Sequence, residues 1–284
     1  MTDRYAVIGN PIAHSKSPLI HALFAAQTCP EQGRRAGQNI SYEAIEAPLD
    51  GFAATIERLR SEGYQGCNVT VPFKFEAYNS ATELSERAKA AQAVNTLSFT
   101  GGTIRGDNTD GAGLVRDIEH NLAVNLQNKR VLLMGAGGAS YGVALPLLIA
   151  GATLTIANRT AEKALALAAK FPGKRIRGGG YDELAGLQFD VVINATSAGL
   201  TDSEVPLPSS TLSAKGGKVG IFAPGALAYD MMYGRETPFM AFARSEGARV
   251  ADGLGMLVEQ AAEAFCIWRG VRPETVPVIA ALRK

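Results

Sequence analysis

Residues 130–140 read Arg-Val-Leu-Leu-Met-Gly-Ala-Gly-Gly-Ala-Ser, so a short apolar run leads directly into a cluster of glycines. The run Arg130–Met134 predicts a buried strand, and the apolar pattern that continues to Ile149 predicts a helix, which Pro146 would kink or fray. A glycine turn between a strand and a helix is typical of dinucleotide-binding loops, because it lets backbone N–H groups approach a pyrophosphate at the positive end of the helix. The sixth position of this Gly-x-Gly-x-x-Gly pattern is Ser140, a small departure. The stretch favours a nucleotide-binding α/β domain over a plain glycine-rich turn.

The residues after the next apolar run indicate which dinucleotide this loop would take. An NAD site usually has Asp or Glu about 20 residues beyond the loop, where the carboxylate binds the ribose 2′-hydroxyl. Here the chain reads Asn158-Arg159-Thr160, and Lys163 lies one helical turn later. The two cations suit a 2′-phosphate, to which Asn158 and Thr160 would donate hydrogen bonds. We therefore expect NADP(H) rather than NAD, the alternative being that these cations only begin a solvated helix.

Strands alternate with helices on both sides of the loop, which predicts parallel sheets with crossover helices. The predicted strands are Tyr5–Ile8, Ser41–Ile45, Cys67–Val71, Val94–Phe99, Thr103–Arg105, Thr153–Ala157, Asp190–Asn194 and Leu227–Met231. The predicted helices begin at Ser17-Pro18, after a cap at Asp50 and at Pro273, and span Glu83–Ala91, Ala161–Lys170 and Gly255–Arg269. The stretch Pro206–Gly225 is predicted to be mostly loop.

These elements predict an α/β chain of two domains, with boundaries near Asp110 and Ala251. Residues 1–110 and 252–284 would form an N-terminal α/β domain to which the C-terminal helices return. Residues 111–251 would form a Rossmann-type, doubly wound nucleotide-binding domain.

The composition excludes several classes of protein. The 284 residues carry 28 Lys and Arg against 27 Asp and Glu, a formal net charge of +1, which gives no support for nucleic acid or a membrane surface as a partner. The three cysteines and three histidines have no spacing typical of a disulfide framework or a metal site. Neither an apolar run of about 18 residues nor a signal-peptide pattern is present. We therefore expect a cytoplasmic protein that binds no metal.

Four short polar motifs lie beside predicted strands ahead of the glycine loop. They are Ser15-Lys-Ser17, Asn68-Val-Thr70-Val-Pro-Phe-Lys74, Asn95 within an apolar run, and Gly106-Asp-Asn-Thr-Asp110-Gly. Because side chains alternate along a strand, Asn68, Thr70 and Pro72 are expected on one face. Hydroxyls, amides, one ammonium and one carboxylate suit a small polyhydroxylated acid, with serines on its carboxylate and the other groups on its ring hydroxyls. Each motif alone is also explained as a helix cap or a turn, so this prediction depends on the four meeting in the fold.

The order of the motifs SKSP, NVTVPFK, AVNT, GDNTDG, GAGGAS, NRT, YDMMY and DGLGMLVEQ, from Gly9 to Gln260, resembles the shikimate dehydrogenase family. The resemblance implies reversible, NADP(H)-dependent reduction of 3-dehydroshikimate to shikimate, a step of the chorismate pathway in aromatic amino-acid biosynthesis. It also implies that residues 1–110 and 252–284 form the substrate domain and that residues 111–251 bind NADP. The expected partner is the small-molecule substrate, in a monomer or a homodimer.

The same resemblance implies roles for individual residues. Lys74 would be the catalytic lysine, with Asp110 as its acid–base partner, and its ammonium would supply the proton or stabilise the oxyanion during ketone reduction. Substrate binding would fall to Ser15, Ser17, Thr70, Lys74, Asn95, Asp110, Tyr233 and Gln260. Cofactor binding would fall to Gly135, Ala136, Gly137, Gly138, Ala139, Asn158, Arg159, Thr160, Ala161, Glu162, Lys163, Met231 and Gly253, with Glu86 as a further candidate on the cofactor side.

Two features depart from the pattern of that family. Lys163 stands where the family often has arginine, which keeps the charge but loses bidentate geometry. The loop Gly216–Gly225 is also long for the family. Three alternative functions remain open: an NAD-dependent quinate/shikimate dehydrogenase, a non-catalytic NADP-binding regulatory module, and a dehydrogenase acting on a different cyclic acid.

Overall fold

The structure, a computed structural model, describes residues 2–27, 40–196, 205–208, 211–212 and 218–283. It divides into two compact units, Met1–Gly113 with Leu257–Lys284 (unit 1) and Leu114–Met256 (unit 2). The loop Gly216–Gly225 lies partly outside the described residues. Within the described ranges, none of the helices combines the length and the apolar character needed to span a membrane.

The strands are numbered along the chain. They are β1 (Asp3–Gly9), β2 (Ile40–Glu46), β3 (Tyr64–Val69), β4 (Glu83–Leu84), β5 (Thr96–Thr100), β6 (Thr103–Asp107), β7 (Arg130–Met134), β8 (Thr153–Ala157), β9 (Ile176–Gly179), β10 (Phe189–Asn194), β11 (Thr211–Leu212), β12 (Lys218–Val219), β13 (Phe222–Asp230) and β14 (Arg249–Ala251).

The α-helices are numbered in the same way. They are α1 (Ser17–Gln27), α2 (Phe52–Ser61), α3 (Lys74–Ser80), α4 (Glu86–Ala91), α5 (Asp110–Arg116), α6 (Gly138–Ile149), α7 (Ala161–Ala168), α8 (Pro238–Ser245), α9 (Leu254–Arg269) and α10 (Val276–Leu282). A π-helical turn, Asp117–Asn121, extends α5.

Unit 1 is built on a six-stranded mixed sheet with the order β2-β1-β3-β5-β6-β4. β1 pairs in parallel with β2 and β3, whereas β5 runs antiparallel to both β3 and β6. The carboxyl ends of β1, β3 and β6 and the amino end of β5 therefore lie at one edge of the sheet. The four polar motifs of the sequence all fall at this edge, because each follows β1, β3 or β6 or precedes β5.

The C-terminal helices pack within unit 1. Ile20 and Phe24 of α1 form a buried apolar cluster with Val258 and Phe265 of α9, joined by residues of α10. Trp268 at the end of α9 donates its indole N–H to the carbonyl of Leu97 in β5 at 3.1 Å. These contacts fix α9 against the sheet, and burial of such aromatic and aliphatic side chains contributes about 1.5–3 kcal/mol each.

Unit 2 contains a six-stranded sheet with the order β14-β13-β10-β7-β8-β9, in which every pairing is parallel. The first strand, β7, lies in the middle, so the chain winds outward through β8 and β9 and then returns to β10 on the other side. This is the doubly wound arrangement of Rossmann domains, whose ligands bind beyond the carboxyl ends of the strands where the order reverses. That switch point lies between β7 and β10.

Several elements begin or end away from the positions that the sequence predicts. β3 ends at Val69 rather than Val71, since Pro72 has no N–H to donate, and so the expected shared strand face of Asn68, Thr70 and Pro72 is wrong. Glu83–Leu84 pairs with β6 as a strand, and α4 begins only after Ser85, whose hydroxyl accepts the Ala88 N–H.

Other differences concern element ends and short elements. Gly51 rather than Asp50 precedes α2, and the last helix begins at Val276 rather than Pro273. β13 begins at Phe222, inside the stretch predicted as loop, whereas α6 contains Pro146 and ends at Ile149 as predicted. The sequence prediction also misses several short elements of the described residues, in which few residues carry a periodic signal: α3, α5, α8, β9, β11, β12 and β14.

Candidate active site

Lys74 and Asp110 are the first residues of α3 and α5, and their side chains meet at the polar edge of the unit 1 sheet. The Lys74 ammonium donates to Asp110 Oδ2 at 2.6 Å. The Asp110 side chain is nearly buried, at 8% exposed, while the Lys74 side chain keeps 28% of its surface open. The result is a charged pair whose carboxylate is held inside the protein and whose ammonium remains accessible to a ligand.

Asn95 holds this pair against α9. Its side-chain nitrogen donates to Asp110 Oδ1 at 2.7 Å and to Gln260 Oε1 at 2.9 Å, and its side-chain oxygen accepts the Thr109 hydroxyl at 3.2 Å. Its carbonyl oxygen accepts the backbone N–H of Thr109 at 2.9 Å and the Thr96 hydroxyl at 2.9 Å. Asn95 is buried, so every one of these bonds forms in a low-dielectric setting where an unmade bond would be costly.

A chain of hydrogen bonds extends from this centre toward the serines that follow β1. Asn68 donates to Thr96 Oγ1 at 3.1 Å and accepts the Tyr42 hydroxyl at 2.7 Å. The Ser17 side chain lies close to the Tyr42 hydroxyl. Ser15 Oγ in turn accepts the Ser17 backbone N–H at 3.3 Å. One continuous network therefore runs from Tyr42 through Asn68 and Asn95 to Asp110 and Lys74, and the two serines lie beside its Tyr42 end.

Burial fixes the protonation of the groups behind this network. Burial raises the pKa of Tyr42 well above its usual value, so its hydroxyl stays protonated and donates to Asn68. His21 stacks on the Tyr42 ring with centroids 4.0 Å apart, and burial lowers the pKa of His21 to about 3. The imidazole is therefore neutral at physiological pH and adds no charge to the site.

The chemistry of the site follows from these groups. Hydroxyls, amides, one ammonium and one carboxylate converge, with no cluster of three or more His, Cys, Asp or Glu among the described residues that could hold a metal ion. Such a set can orient a hydroxylated ring and pass a proton to or from one of its oxygens at the Lys74 ammonium.

In unit 2, the glycine loop joins β7 to α6 as the sequence predicts. Gly135 has φ of +98°, a conformation that favours glycine, and the buried Ser140 hydroxyl donates to its carbonyl at 2.8 Å. A Cβ added at Gly137 or Gly138 would meet no protein atom within 4 Å, and both residues are exposed. The N-terminus of α6 therefore presents open backbone that fits the pyrophosphate of a dinucleotide.

On the β10 side of the switch point, the buried carboxylate of Asp230 accepts hydrogen bonds from the residues around it. Asp230 at the end of β13 accepts Thr237 Oγ1 at 2.5 Å, Asn194 Nδ2 at 3.1 Å and the Met232 N–H at 2.9 Å. Asn194 at the end of β10 accepts the Thr196 hydroxyl at 2.7 Å. These bonds fix the backbone that follows both strands.

The end of β8 carries the predicted phosphate-binding residues. The side chains of Arg159 and Lys163 are exposed and have no ion-pair partner among the described residues. Asn158 donates its amide to the Thr160 carbonyl at 2.9 Å, which shapes the turn into α7. Burial raises the pKa of Tyr181 to about 12, and the charge of the nearby Arg159 opposes that rise. Two available cations thus flank this turn.

Comparison with known proteins gives matches along the whole chain. The family model described as the shikimate dehydrogenase substrate binding domain matches residues 7–97, that of shikimate / quinate 5-dehydrogenase matches 117–202, and that of the shikimate 5′-dehydrogenase C-terminal domain matches 253–283. A shikimate dehydrogenase (NADP(+)) of Methylobacillus flagellatus is 62% identical over 285 residues, which cover 99% of each chain. The chain belongs to the shikimate dehydrogenase family.

Solved structures agree in fold. A crystal structure of an Ael1 enzyme from Pseudomonas putida superposes with a TM-score of 0.89 at 52% identity, covering 99% of this chain and 98% of that one. The shikimate 5-dehydrogenase of Thermus thermophilus, in complex with NADP(H) and shikimate, has a TM-score of 0.83 at 33% identity with the same coverage. The predicted α/β fold with a Rossmann-type domain is confirmed.

Most of the residues that the resemblance to shikimate dehydrogenases singled out for the substrate lie together in unit 1. The network above contains Lys74, Asn95, Asp110 and Gln260, and Ser15 and Ser17 lie beside its Tyr42 end. Thr70 lies just beyond β3, where its N–H donates to the Ile8 carbonyl at 2.9 Å. Tyr233 lies in unit 2, where burial raises its pKa.

The residues predicted on the cofactor side are distributed over both units. Gly135, Ala136 and Gly137 form the glycine loop, and Gly138 and Ala139 begin α6. Asn158, Arg159 and Thr160 form the turn after β8, and Ala161, Glu162 and Lys163 begin α7. A Cβ at Gly253 would lie 2.2 Å from the Met231 carbonyl, so only glycine fits against Met231. Glu86 lies in unit 1, where its exposed carboxylate pairs with Lys89 at 2.8 Å. Its place on the cofactor side stays a prediction.

The structure adds residues that the sequence prediction did not assign to the site. Tyr42, Asn68, Thr96 and Thr109 belong to the network in unit 1, and His21 lies behind it. Asn68 and Thr109 stand inside the motifs NVTVPFK and GDNTDG, which was an available signal. Tyr42 and His21 sit in ordinary strand and helix patterns, so only the fold reveals them.

Proposed function

We propose that the chain catalyses the reversible, NADP(H)-dependent reduction of 3-dehydroshikimate to shikimate. The observation that carries the proposal is the Lys74–Asp110 pair, held by Asn95 within the network that also contains Gln260. The names of the relatives support it, since a protein 62% identical over 99% of both chains is a shikimate dehydrogenase (NADP(+)).

The substrate would bind at the polar edge of the unit 1 sheet. Ser15 and Ser17 stand at the start of α1, where hydroxyls and the positive end of the helix favour the substrate carboxylate. Asn95, Asp110 and Gln260 would bind ring hydroxyls, together with Thr70 after β3. Tyr233 is a further proposed contact, supplied by unit 2.

Proton transfer would occur at Lys74. In the reducing direction its ammonium donates a hydrogen bond to the carbonyl oxygen and gives that oxygen a proton as negative charge develops. Asp110 orients the ammonium through the bond at 2.6 Å. In the oxidising direction Lys74 accepts the hydroxyl proton, so the two residues act as an acid–base pair.

NADP(H) would be held by residues 111–251, and when bound it supplies or accepts the hydride. The loop Gly135–Ala139, of which Gly137, Gly138 and Ala139 are exposed, would bind the pyrophosphate at the N-terminus of α6. Arg159, within the turn Asn158–Thr160, and Lys163, one helical turn later, would bind the 2′-phosphate. Met231 and Gly253 are proposed near the nicotinamide, with Glu86 on the cofactor side.

The test is turnover by the purified chain, followed by the absorbance of reduced nicotinamide. Shikimate with NADP+ should give rapid reduction, whereas quinate and NAD+ should each give much lower kcat/KM. Lys89→Ala is a matched control, since Lys89 pairs with Glu86 on an exposed surface of the same unit. No reduction with shikimate, or faster reduction with quinate, would overturn the proposal.

A further inference from the structure

Arg87 lies in α4, outside the substrate network, and its guanidinium joins two carboxylates from distant parts of unit 1. It donates to Asp107 through Nε at 2.6 Å and through Nη2 at 3.0 Å, which is a two-point fork. Its third nitrogen, Nη1, donates to Glu263 of α9 at 2.9 Å. The three side chains are between 10% and 26% exposed, so these bonds are well protected from water.

The Asp107 arm leads to the carboxylate of the catalytic pair. Asp107 Oδ1 accepts the backbone N–H of Asn108 at 2.7 Å, and Asn108 Oδ1 accepts the backbone N–H of Asp110 at 3.2 Å. Asn108 also donates to the carbonyl of Ala93 at 3.1 Å, next to Asn95. The position of Asp110 at the start of α5 is therefore set by a chain of bonds that begins at the Arg87 fork.

The Glu263 arm leads to the amide side of the same site. Glu263 lies three residues after Gln260 in α9, and side chains three apart lie on neighbouring positions of one helix face. Arg272 pairs with the second oxygen of Glu263, so this carboxylate is held by two guanidinium groups. The bonds to Glu263, one helical turn after Gln260, thus fix the rotation of α9 that brings Gln260 to Asn95.

We propose that Arg87 is a positioning residue that sets the spacing between Asp110 and Gln260, and thereby the width of the substrate site. This inference rests on the proposed function and extends it to a residue that contacts neither substrate nor cofactor. The geometry of the fork is the reason for arginine, because three separate N–H groups in one plane reach two carboxylates at once. A lysine at this position keeps the charge but donates from a single atom.

The hydrogen-bonding partners of Asp107 support a fixed, ionised carboxylate at this point. Burial alone would raise the pKa of Asp107, but hydrogen bonds from Arg87 and Ser85 outweigh it and lower the pKa. Ser85 donates to Asp107 Oδ1 at 2.6 Å, while the same serine caps α4. The start of α4, the end of β6 and α9 are thus bound to one another through a single guanidinium.

The test compares Arg87→Lys with Arg130→Lys. Arg130 forms a similar fork with Asp190, at 3.2 and 3.0 Å, but at the amino end of β7, the end opposite the glycine loop. For Arg87→Lys we expect kcat/KM for shikimate to fall about 10-fold to 100-fold, with a higher KM and a lower kcat, while the dissociation constant of NADP+ changes less than about 2-fold. Arg130→Lys should leave kcat, KM and the dissociation constant of NADP+ unchanged.

Two further measurements separate positioning from folding and from the proposed function. Guanidinium ion added to Arg87→Ala should restore part of the lost activity, whereas potassium ion at the same concentration should not. A crystal structure of Arg87→Lys should show the Asn95–Gln260 bond broken or Asp110 displaced, and this readout does not depend on the reaction. Unchanged positions, or losses that match only a smaller folded fraction, would overturn the inference. Absence of shikimate turnover by the wild type would instead overturn the proposed function.

Discussion

Lys74 and Asp110 occupy equivalent places, each at the first residue of a short helix, but the helix dipole affects them in opposite ways. A carboxylate is stabilised at a helix N-terminus, while an ammonium there is disfavoured by about 0.3–1 kcal/mol. The direct bond to Asp110 compensates Lys74 for this position. The Lys74 ammonium is therefore stabilised by its hydrogen bond to Asp110 and not by the dipole of α3.

Replacing the lysine tests its role as proton donor. Lys74→Ala should lower kcat by about 10²-fold to 10⁴-fold, because the proton must then come from water, while the KM for shikimate changes little. Steady-state kinetics in both directions measure this, with Lys89→Ala as the control. Near-normal turnover by Lys74→Ala would remove the lysine from the mechanism.

Arg159 offers a second test at the residue scale. Arg159→Ala should weaken NADP+ binding by about 10-fold to 100-fold, the loss expected for a charge-assisted hydrogen bond, and leave NAD+ binding unchanged. Titration of cofactor binding by fluorescence measures both constants. Arg175→Ala is a suitable control, since Arg175 bonds to Asn128 and Gly151 in the same unit. Equal losses for the two cofactors would show that Arg159 does not read the 2′-phosphate.

Among the elements, the glycine loop contains glycines required for two different reasons, backbone conformation and the approach of a ligand. The sequence pattern does not distinguish these reasons. Gly135 is required by its own backbone, with φ of +98° and Thr196 3.1 Å from the site of a Cβ. Gly137 has φ of −96° and open space beside it, so the folded chain alone would accept a side chain there. A glycine at that position is explained by a ligand that approaches the backbone.

This difference predicts opposite outcomes for two alanine variants. Gly135→Ala should destabilise the protein by about 1–3 kcal/mol through backbone strain. Gly137→Ala should leave the thermal midpoint within about 1 °C but weaken NADP+ binding by about 10-fold to 100-fold, since an added methyl group obstructs the pyrophosphate. Thermal unfolding and cofactor titration of both variants measure this. Unchanged cofactor binding in Gly137→Ala would show that the pyrophosphate does not bind beside Gly137.

Strand and helix positions were largely predictable where the pattern is local. β7 and β8 have the predicted bounds, because both are short runs of apolar and β-branched residues. Short elements such as α3 and α5 were missed, since each is stabilised by contacts of its first residue with distant chain segments. Local periodicity carries no information about such contacts.

On the scale of the whole molecule, His21 couples the stability of the fold to pH. It is 1% exposed, and it packs between the Tyr42 ring and the aromatic residues of α1 and α9. Burial lowers its pKa from 6.5 to about 3. Between these values the unfolded chain binds a proton at His21 that the folded chain does not, so stability falls as the pH falls.

The resulting prediction concerns unfolding at mildly acid pH. From pH 6.5 to pH 5 the free energy of unfolding should fall by about 2 kcal/mol through His21, and His21→Gln should lose that part of the dependence. Urea unfolding at several pH values measures this. His14→Gln is the control, since His14 is exposed. An identical pH dependence in His21→Gln and the wild type would contradict the prediction.

The sequence by itself determined the strand–loop–helix of the nucleotide domain, the cations after β8 and the kinds of polar group available to a substrate. These features are local, because a strand, a turn and a helix start are specified by neighbouring residues. Only the tertiary structure decided that Lys74 meets Asp110, that α9 brings Gln260 to Asn95 and that Arg87 joins Asp107 to Glu263. Those contacts depend on strand order and helix packing, which bring together residues far apart in the chain. Strand order and helix packing are in turn driven by the burial of apolar surface from several segments, so no single segment specifies them.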